Sequence, residues 1–304
     1  MNALTQPRVD EHPGPGEIDF SRWFMPQALT PFYHTPAYAG LADSQRLRYN
    51  QLNALYFNEQ TMFFEKALAR NVIGYFLAQP LPDRLHAGLR QFMAEEEQHT
   101  EMFRRLNQRC APGRYHDRDF HFIKLPAAAA RAFDFMSKRP QWFPLLVWLM
   151  HLQEERAVFF GRTFLRQADD LEPNFVAAQR KHLADEIGHV RWDEALLDSI
   201  WPRTNRLLRR FNARFLAWMI GEYFIVPKRS ALRVVDALVA EFPRLRRHQP
   251  EFNRQLRALG HDAAFCSAQY SSESVPDTFK RFGDWPEFNA LARVMPGYVP
   301  QMAS

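Results

Sequence analysis

The 304-residue chain is poor in cysteine: Cys110 and Cys266 are its only two, and neither belongs to a C-x-x-C pair. That spacing excludes a disulfide framework, a zinc ribbon and an iron-sulfur site, and the usage suits a reducing cytoplasm. No apolar run approaches the length of a membrane span, and residues 1–17 carry Pro13, Gly14, Pro15 and Gly16 but no apolar stretch of signal-peptide type. Low-complexity linkers and a solenoid period are missing as well. These absences predict a cytoplasmic chain, without a membrane span, folded as one domain over residues 1–304. Acidic charge is in deficit, leaving a net +5 that comes from Arg203, Arg206, Arg209, Arg210 and Arg214 and from Arg244, Arg246 and Arg247. With no nucleic-acid-binding motif beside them, these arginines read as solvated helix faces; the functional reading is a docking face for an acidic redox partner.

What the chain does contain is a metal-binding pattern. His182, Glu186 and His189 fall at i, i+4 and i+7, so on a helix they stack on one side within two turns. Upstream, Glu96 and His99 repeat the Glu-x-x-His spacing of Glu186 and His189. Two Glu-x-x-His helices, each preceded by a helix with another inward Glu, are what a four-helix bundle needs to hold two iron or manganese ions. The stripe Leu85, Leu89, Phe92, Glu96, His99, Phe103 and Leu106 is apolar except at its middle. A carboxylate and an imidazole there need a buried partner, and a metal supplies one.

In chain order, residues 1–43 form a Pro- and aromatic-rich arm packed over the domain, residues 44–201 the metal-binding bundle, and residues 202–304 additional helices and a tail. The first long helix is expected from a Ser44 N-cap through Leu52, Leu55, Met62, Leu68 and Val72 towards Pro80, and the second through Leu85 to Leu106. A short helix is expected over 127–137 and the third bundle helix from Phe143 to Leu165. Pro173 opens the fourth, which stops near Pro202. Two or three further helices fill 205–260, divided at Pro227 and Pro243.

The inward Glu of the first and third helices is harder to choose. Glu65 and Glu96 are 31 residues apart, as are Glu155 and Glu186 (65 to 96, 155 to 186), so equal spacing about each turn brings both pairs to one level. Glu59 competes with Glu65, but its stripe runs to Lys66 and Arg70, whereas that of Glu65 runs to Leu68 and Val72. Glu154 competes with Glu155, since Val147, Val158, Gly161 and Leu165 give it an acceptable face; the 31-residue symmetry selects Glu155. Glu95 and Asp185 directly precede the metal glutamates and suit a supporting role, Asp185 towards His99 and Glu95 towards His189.

This pattern, Glu65, then Glu96 with His99, then Glu155, then His182 with Glu186 and His189, resembles the non-haem di-iron N-oxygenases typified by para-aminobenzoate N-oxygenase. The resemblance covers roughly residues 45–200 and includes the phrases Asn58-Glu59 and His182-Leu183. It implies an all-α, ferritin-like four-helix bundle with a di-iron core and seven metal ligands: Glu65, Glu96, His99, Glu155, His182, Glu186 and His189. It further implies two iron ions, with manganese as the substitute, dioxygen as co-substrate, an external electron donor and a small amine substrate, with a homodimer left open. A carbon hydroxylase or desaturase with the same metals is the alternative, and an iron-storage bundle a third reading.

Overall fold

Each long apolar stripe becomes a helix that buries it. A computed structural model describes residues 16–226 and 228–300; the Pro13 to Pro15 portion of the arm and the division expected at Pro227 lie outside the described residues. Helix α1, Asp43–Phe64, runs through a π-helical segment, Glu65–Ala69, into α2, Arg70–Leu77. It starts two residues earlier than expected: the N-cap is Ala42 rather than Ser44, and its N–H donates to the Gln45 side chain (3.0 Å). Then come α3, Asp83–Cys110, the short α4, Ala127–Ser137, α5, Leu145–Arg166, and α6, Pro173–Ile200. Pro173 occupies the first turn of α6, and the Glu172 carboxylate caps that turn by accepting from Phe175 N (3.0 Å).

The π segment packs on α3, α3 on α6, α6 on α5, and α5 back on the π segment. That ring closes the expected four-helix bundle, and no strand occurs among the described residues beyond an isolated bridge between Trp23 and Leu171. Two glycines permit the close approaches. A Cβ at Gly161 on α5 would come within 2.9 Å of Leu183 on α6, and one at Gly88 on α3 within 2.4 Å of the Trp192 ring.

Around the bundle, the arm and the tail are tied down by buried polar groups. Asn50 on α1 accepts the N–H groups of Phe24 (2.9 Å) and Met25 (3.2 Å) and donates to the Met25 carbonyl (2.7 Å), while Glu172 N donates to Trp23 O (2.8 Å). The arm therefore bridges both helix hairpins. After α6 follow α7, Arg206–Met219, a second π segment, Ile220–Phe224, then α8, Lys228–Glu241, α9, Gln249–Ala258, α10, Ala263–Gln269, and α11, Pro276–Gly283. Buried apolar residues form one contiguous cluster from Phe24 to Tyr298. No helix among the described residues is long and apolar enough to cross a membrane.

Candidate metal centre

The interior stripe of α3 is buried at Leu89, Phe92, Glu96, His99, Phe103 and Leu106, so its two polar members sit inside the bundle. Opposite them, α6 buries His182, Glu186 and His189, and α1 ends at the buried Glu65. Glu65 is the first residue of the π segment, where Arg70 N–H donates to the Glu65 carbonyl. Such one-turn widenings inside a helix frequently accompany functional sites.

These side chains converge. His99 Nδ1 lies 3.5 Å from Glu96 Oε1, 3.6 Å from Glu186 Oε1 and 3.9 Å from Glu65 Oε1. His182 Nε2 lies 2.8 Å from Glu186 Oε1 and 3.5 Å from Glu65 Oε1. His189 Nδ1 lies 3.3 Å from Glu96 Oε1, 3.5 Å from Glu186 Oε2 and 3.7 Å from Glu154 Oε2. Two ligand groups emerge, Glu65 with His99 and His182, and Glu96 with Glu154 and His189; a third, Glu96 with His99 and Glu186, joins them. Glu186 faces both ways, Oε1 towards His99 and His182 and Oε2 towards His189.

Glu155 is not in the cluster, which corrects the choice made by the 31-residue symmetry. Its carboxylate turns outward and accepts Asp277 N and Thr278 N (2.8 Å each) at the start of α11. Glu154 stands in its place, on the face that carries the buried Val147, Val158 and Gly161. Equal spacing requires equivalent hairpins, and these differ: a π segment interrupts only the first, and a 3-10 turn, Ala168–Asp170, closes only the second. Glu59, passed over for Glu65, is also fully buried, and accepts from the Tyr115 hydroxyl (2.8 Å) and from the N–H groups of His121 (2.7 Å), Phe122 (2.9 Å) and Ile123 (2.8 Å).

Five inward atoms, Glu65 Oε1, Glu96 Oε1, His99 Nδ1, Glu186 Oε2 and His189 Nδ1, are buried with no hydrogen-bond partner. Leaving so many polar atoms unmatched is costly, and cations between them remove the cost. Four carboxylates and three imidazoles also match two divalent ions in charge, so the residues present fit a pair of irons.

Burial pushes the Glu65 carboxyl well up, and the neighbouring Glu96 adds to it; Glu96 is raised the same way by burial and by Glu186. Burial drives His182 well down, helped by His99 and His189. His189 behaves oppositely: although burial opposes its charge, Glu186, Glu95 and Glu96 raise it to about 11 in the metal-free chain. The flanking carboxylates stand where expected, with Asp185 Oδ2 3.0 Å from His99 Nε2 and Glu95 Oε2 3.0 Å from His189 Nε2. Burial resists the ionised form of Asp185, but His99 and Lys181 hold it down to about 2; hydrogen bonding from His189 lowers Glu95. Ionised carboxylates only accept, so each Nε2 carries a hydrogen and each Nδ1 is the inward atom, able to bind a metal once it holds no proton.

Thr100 escaped sequence reasoning. Its hydroxyl donates to Glu65 Oε2 (2.8 Å), one turn after Glu96, and only its adjacency to His99 signalled it. A cavity of about 60 Å³ opens beside Glu65, Glu96, Glu154, His182 and Glu186, walled by Phe57, Phe64 and Phe160 and by the polar Gln60, Thr61, Gln153 and Arg156.

No curated protein matches the chain. A family profile does, over residues 11–277, and its description is p-aminobenzoate N-oxygenase AurF. With most of its length matched, the chain belongs to the AurF family of p-aminobenzoate N-oxygenases and is a non-haem di-iron oxygenase.

Proposed function

We propose that this chain transfers oxygen to the nitrogen of an arylamine at two irons held by Glu65, Glu96, His99, Glu154, His182, Glu186 and His189. The observation that carries the reading is the set of five buried, unpartnered oxygen and nitrogen atoms converging from three helices. Two bound irons supply dioxygen activation. The amine gains one oxygen atom to become a hydroxylamine; the other oxygen leaves as water, taking two electrons and two protons from an external donor. Repetition carries the product towards nitroso and nitro.

The chain's own residues position this chemistry. Asp185 and Glu95 fix the tautomers of His99 and His189. Thr100 orients Glu65. Phe57, Phe64 and Phe160 exclude water and offer faces to an aryl ring. His182, as a third nitrogen donor, adds no negative charge and makes the pair asymmetric. Electrons enter at the exposed face of α7 and the turn before it, which carries the exposed Arg203, Arg206, Arg210 and Arg214 together with Leu207, Phe211 and Trp218, which are 77%, 53% and 52% exposed. Such a face suits an acidic donor.

Iron-supplemented protein should carry about two irons per chain, and the ferrous protein under dioxygen should convert arylamines to products heavier by one oxygen on nitrogen. Less than one iron or manganese per chain under every loading condition would overturn the metal assignment. Oxidation at carbon alone would overturn the N-oxygenase assignment.

A further inference from the structure

One turn away from the metal cluster the bundle buries a second polar group, which the oxygen chemistry has not used. Helices α5 and α6 run antiparallel: Gly161 meets Leu183, and Glu154 lies 3.7 Å from His189. His151 stands three residues before Glu154 and Asp193 four residues after His189, so both keep the inward face and share one level of the bundle. Each is wholly buried, at 0% exposure. Their four polar atoms, His151 Nδ1 and Nε2 and Asp193 Oδ1 and Oδ2, have no hydrogen-bond partner, and neither have the indole Nε1 donors of Trp148 on α5 and Trp201 at the end of α6. Aromatic rings flank this level, with Phe92 stacked on His189 (3.9 Å) on one side and Trp148 against Trp201 (5.6 Å) on the other. Burial pushes the Asp193 carboxyl well above its ordinary range; His189 opposes this, while Glu96, Glu186 and Glu194 add to it. Burial lowers His151 to about 3, helped by the Arg281 charge. Two divalent ions balance the four carboxylates of the cluster, so the loaded centre offers Asp193 no net charge that would strip its proton. Asp193 is therefore a neutral acid and His151 a neutral base, one with a proton to give and the other with a lone pair to take one.

We propose that Asp193 and His151 form a proton relay into the metal centre, passing protons through ordered water to the oxygen that leaves as water. This rests on the oxygenase reading of the cluster. Each oxygen so released takes up protons that must cross a closed interior, and an acid one turn from two ligands is placed to hold one there. The Asp193 O–H bond breaks as a bridging water takes its proton and hands one of its own onward. His151 then returns a proton to the carboxylate from one ring nitrogen and takes one at the other, so no charge stays behind in the interior. The way out lies towards Arg281, whose charge reaches His151 and which pairs with Glu194 (3.2 Å) and Asp198 (2.8 Å) on the outer face of α6. Water that bridges these side chains also satisfies the six unmatched atoms, which are costly in an apolar interior.

Infrared spectra of the iron-loaded full chain read that proton directly. The native protein should show a carboxylic-acid C=O band that disappears in Asp193→Asn, moves in Asp193→Glu and shifts when the solvent is changed to D2O. His151→Phe should keep the band and slow its shift by about 100-fold. In a single turnover, Asp193→Asn should slow amine oxidation by about 100-fold and alter its solvent isotope effect, with iron content unchanged, and Asp193→Glu should restore most of the rate. A band that Asp193→Asn leaves in place, or one that does not exchange in D2O, would overturn the relay, as would a single-turnover rate and isotope effect unchanged in Asp193→Asn. Should that variant fail to fold, a band unmoved by Asp193→Glu, or exchange unslowed in His151→Phe, overturns it instead. Failure of the oxygenase reading shows separately, in iron content and product mass, since the band and its exchange need no turnover.

Discussion

Glu59 and Glu65 lie six residues apart on one helix, Glu154 and Glu155 are neighbours on another, and all four are buried. Yet Glu59 and Glu155 have their oxygens filled by backbone N–H groups of the 121–123 and 277–278 segments, whereas Glu65 and Glu154 face the histidines. Burial and an apolar stripe thus do not single out a metal ligand. What separates the two pairs is the supply of donors: two glutamates found protein partners and serve as anchors for loops, and two were left facing other carboxylates. The anchors have a functional consequence as well, because the loops they hold cover the bundle that contains the metals.

The sharpest way to break this comparison is to remove one member of each pair. Glu65→Ala and Glu154→Ala should each lose metal, from about two ions per chain to one or none, and Glu186→Ala, which takes away the residue facing both histidine groups, should lose both. Glu59→Gln and Glu155→Gln should keep their metals and instead lose stability. The loss is about 2–4 kcal/mol for Glu59, which serves four donor groups, and about 1–3 kcal/mol for Glu155, which serves two. Metal analysis beside urea denaturation reads both. Retention of two metals by Glu154→Ala, with loss in Glu155→Ala, would reverse the assignment.

The same contrast explains what was legible beforehand. Glu96 with His99 and Glu186 with His189 could be read because their spacing lies within one helix, where 3.6 residues per turn fixes the geometry. Asp185 and Glu95 followed from the same rule, being on the flank of a ligand. Choosing Glu154 over Glu155 depends on the register between helices, which a π segment in one hairpin and a 3-10 turn in the other alter unequally. The partners of Glu59 were not legible, because they come from the irregular stretch after α3, whose path no periodicity predicts.

Titration sharpens the comparison, since only the unmatched side chains should respond to metal removal. In the metal-free chain Glu65 and Glu96 are raised above the ordinary 4.5, so the folded state holds protons that the unfolded state releases, and stability falls as pH climbs past that value. His189, raised from 6.5 to about 11, adds stability that is full below 6.5 and lost as pH rises through 11, the same sign. His182, lowered, costs stability only below 6.5 and is spent above it. From pH 7 upward the slope from His189 therefore points down, while that from His182 is flat. Metals replace those protons, so the gap in melting temperature between iron-loaded and metal-free protein should widen from pH 7 to 9.5. A constant or narrowing gap would mean that the cluster is not what binds.

A smaller effect belongs to the carboxylates that hold the histidines. Asp185→Asn and Glu95→Gln keep the shape but weaken the fixed tautomer, and each should cost about 10- to 100-fold in metal affinity without changing the number of sites. Competition with a chelator measures it. Unchanged affinity in both would reduce them to surface charges.

The smallest effect lies on α7, the region most unlike the centre: exposed, cationic and free of acidic residues over Arg206–Met219. Arg209 is engaged internally, with Glu287 (3.2 Å) and over the Trp285 ring (4.7 Å), which leaves Arg203, Arg206, Arg210 and Arg214 to face solvent. Attraction between exposed charges is screened over about 8 Å at physiological salt, so raising salt slows encounter with an acidic donor by a few-fold at most mutational cost to nothing else. Turnover driven by a ferredoxin-like donor should fall as salt is added, while turnover driven by hydrogen peroxide, which needs no docking, should not. Arg210→Glu with Arg214→Glu should reproduce the slower donor-driven rate at low salt and leave the peroxide-driven rate and the iron content alone. If both modes of turnover share one salt dependence, electrons do not arrive through this face, and its aromatic residues need another partner.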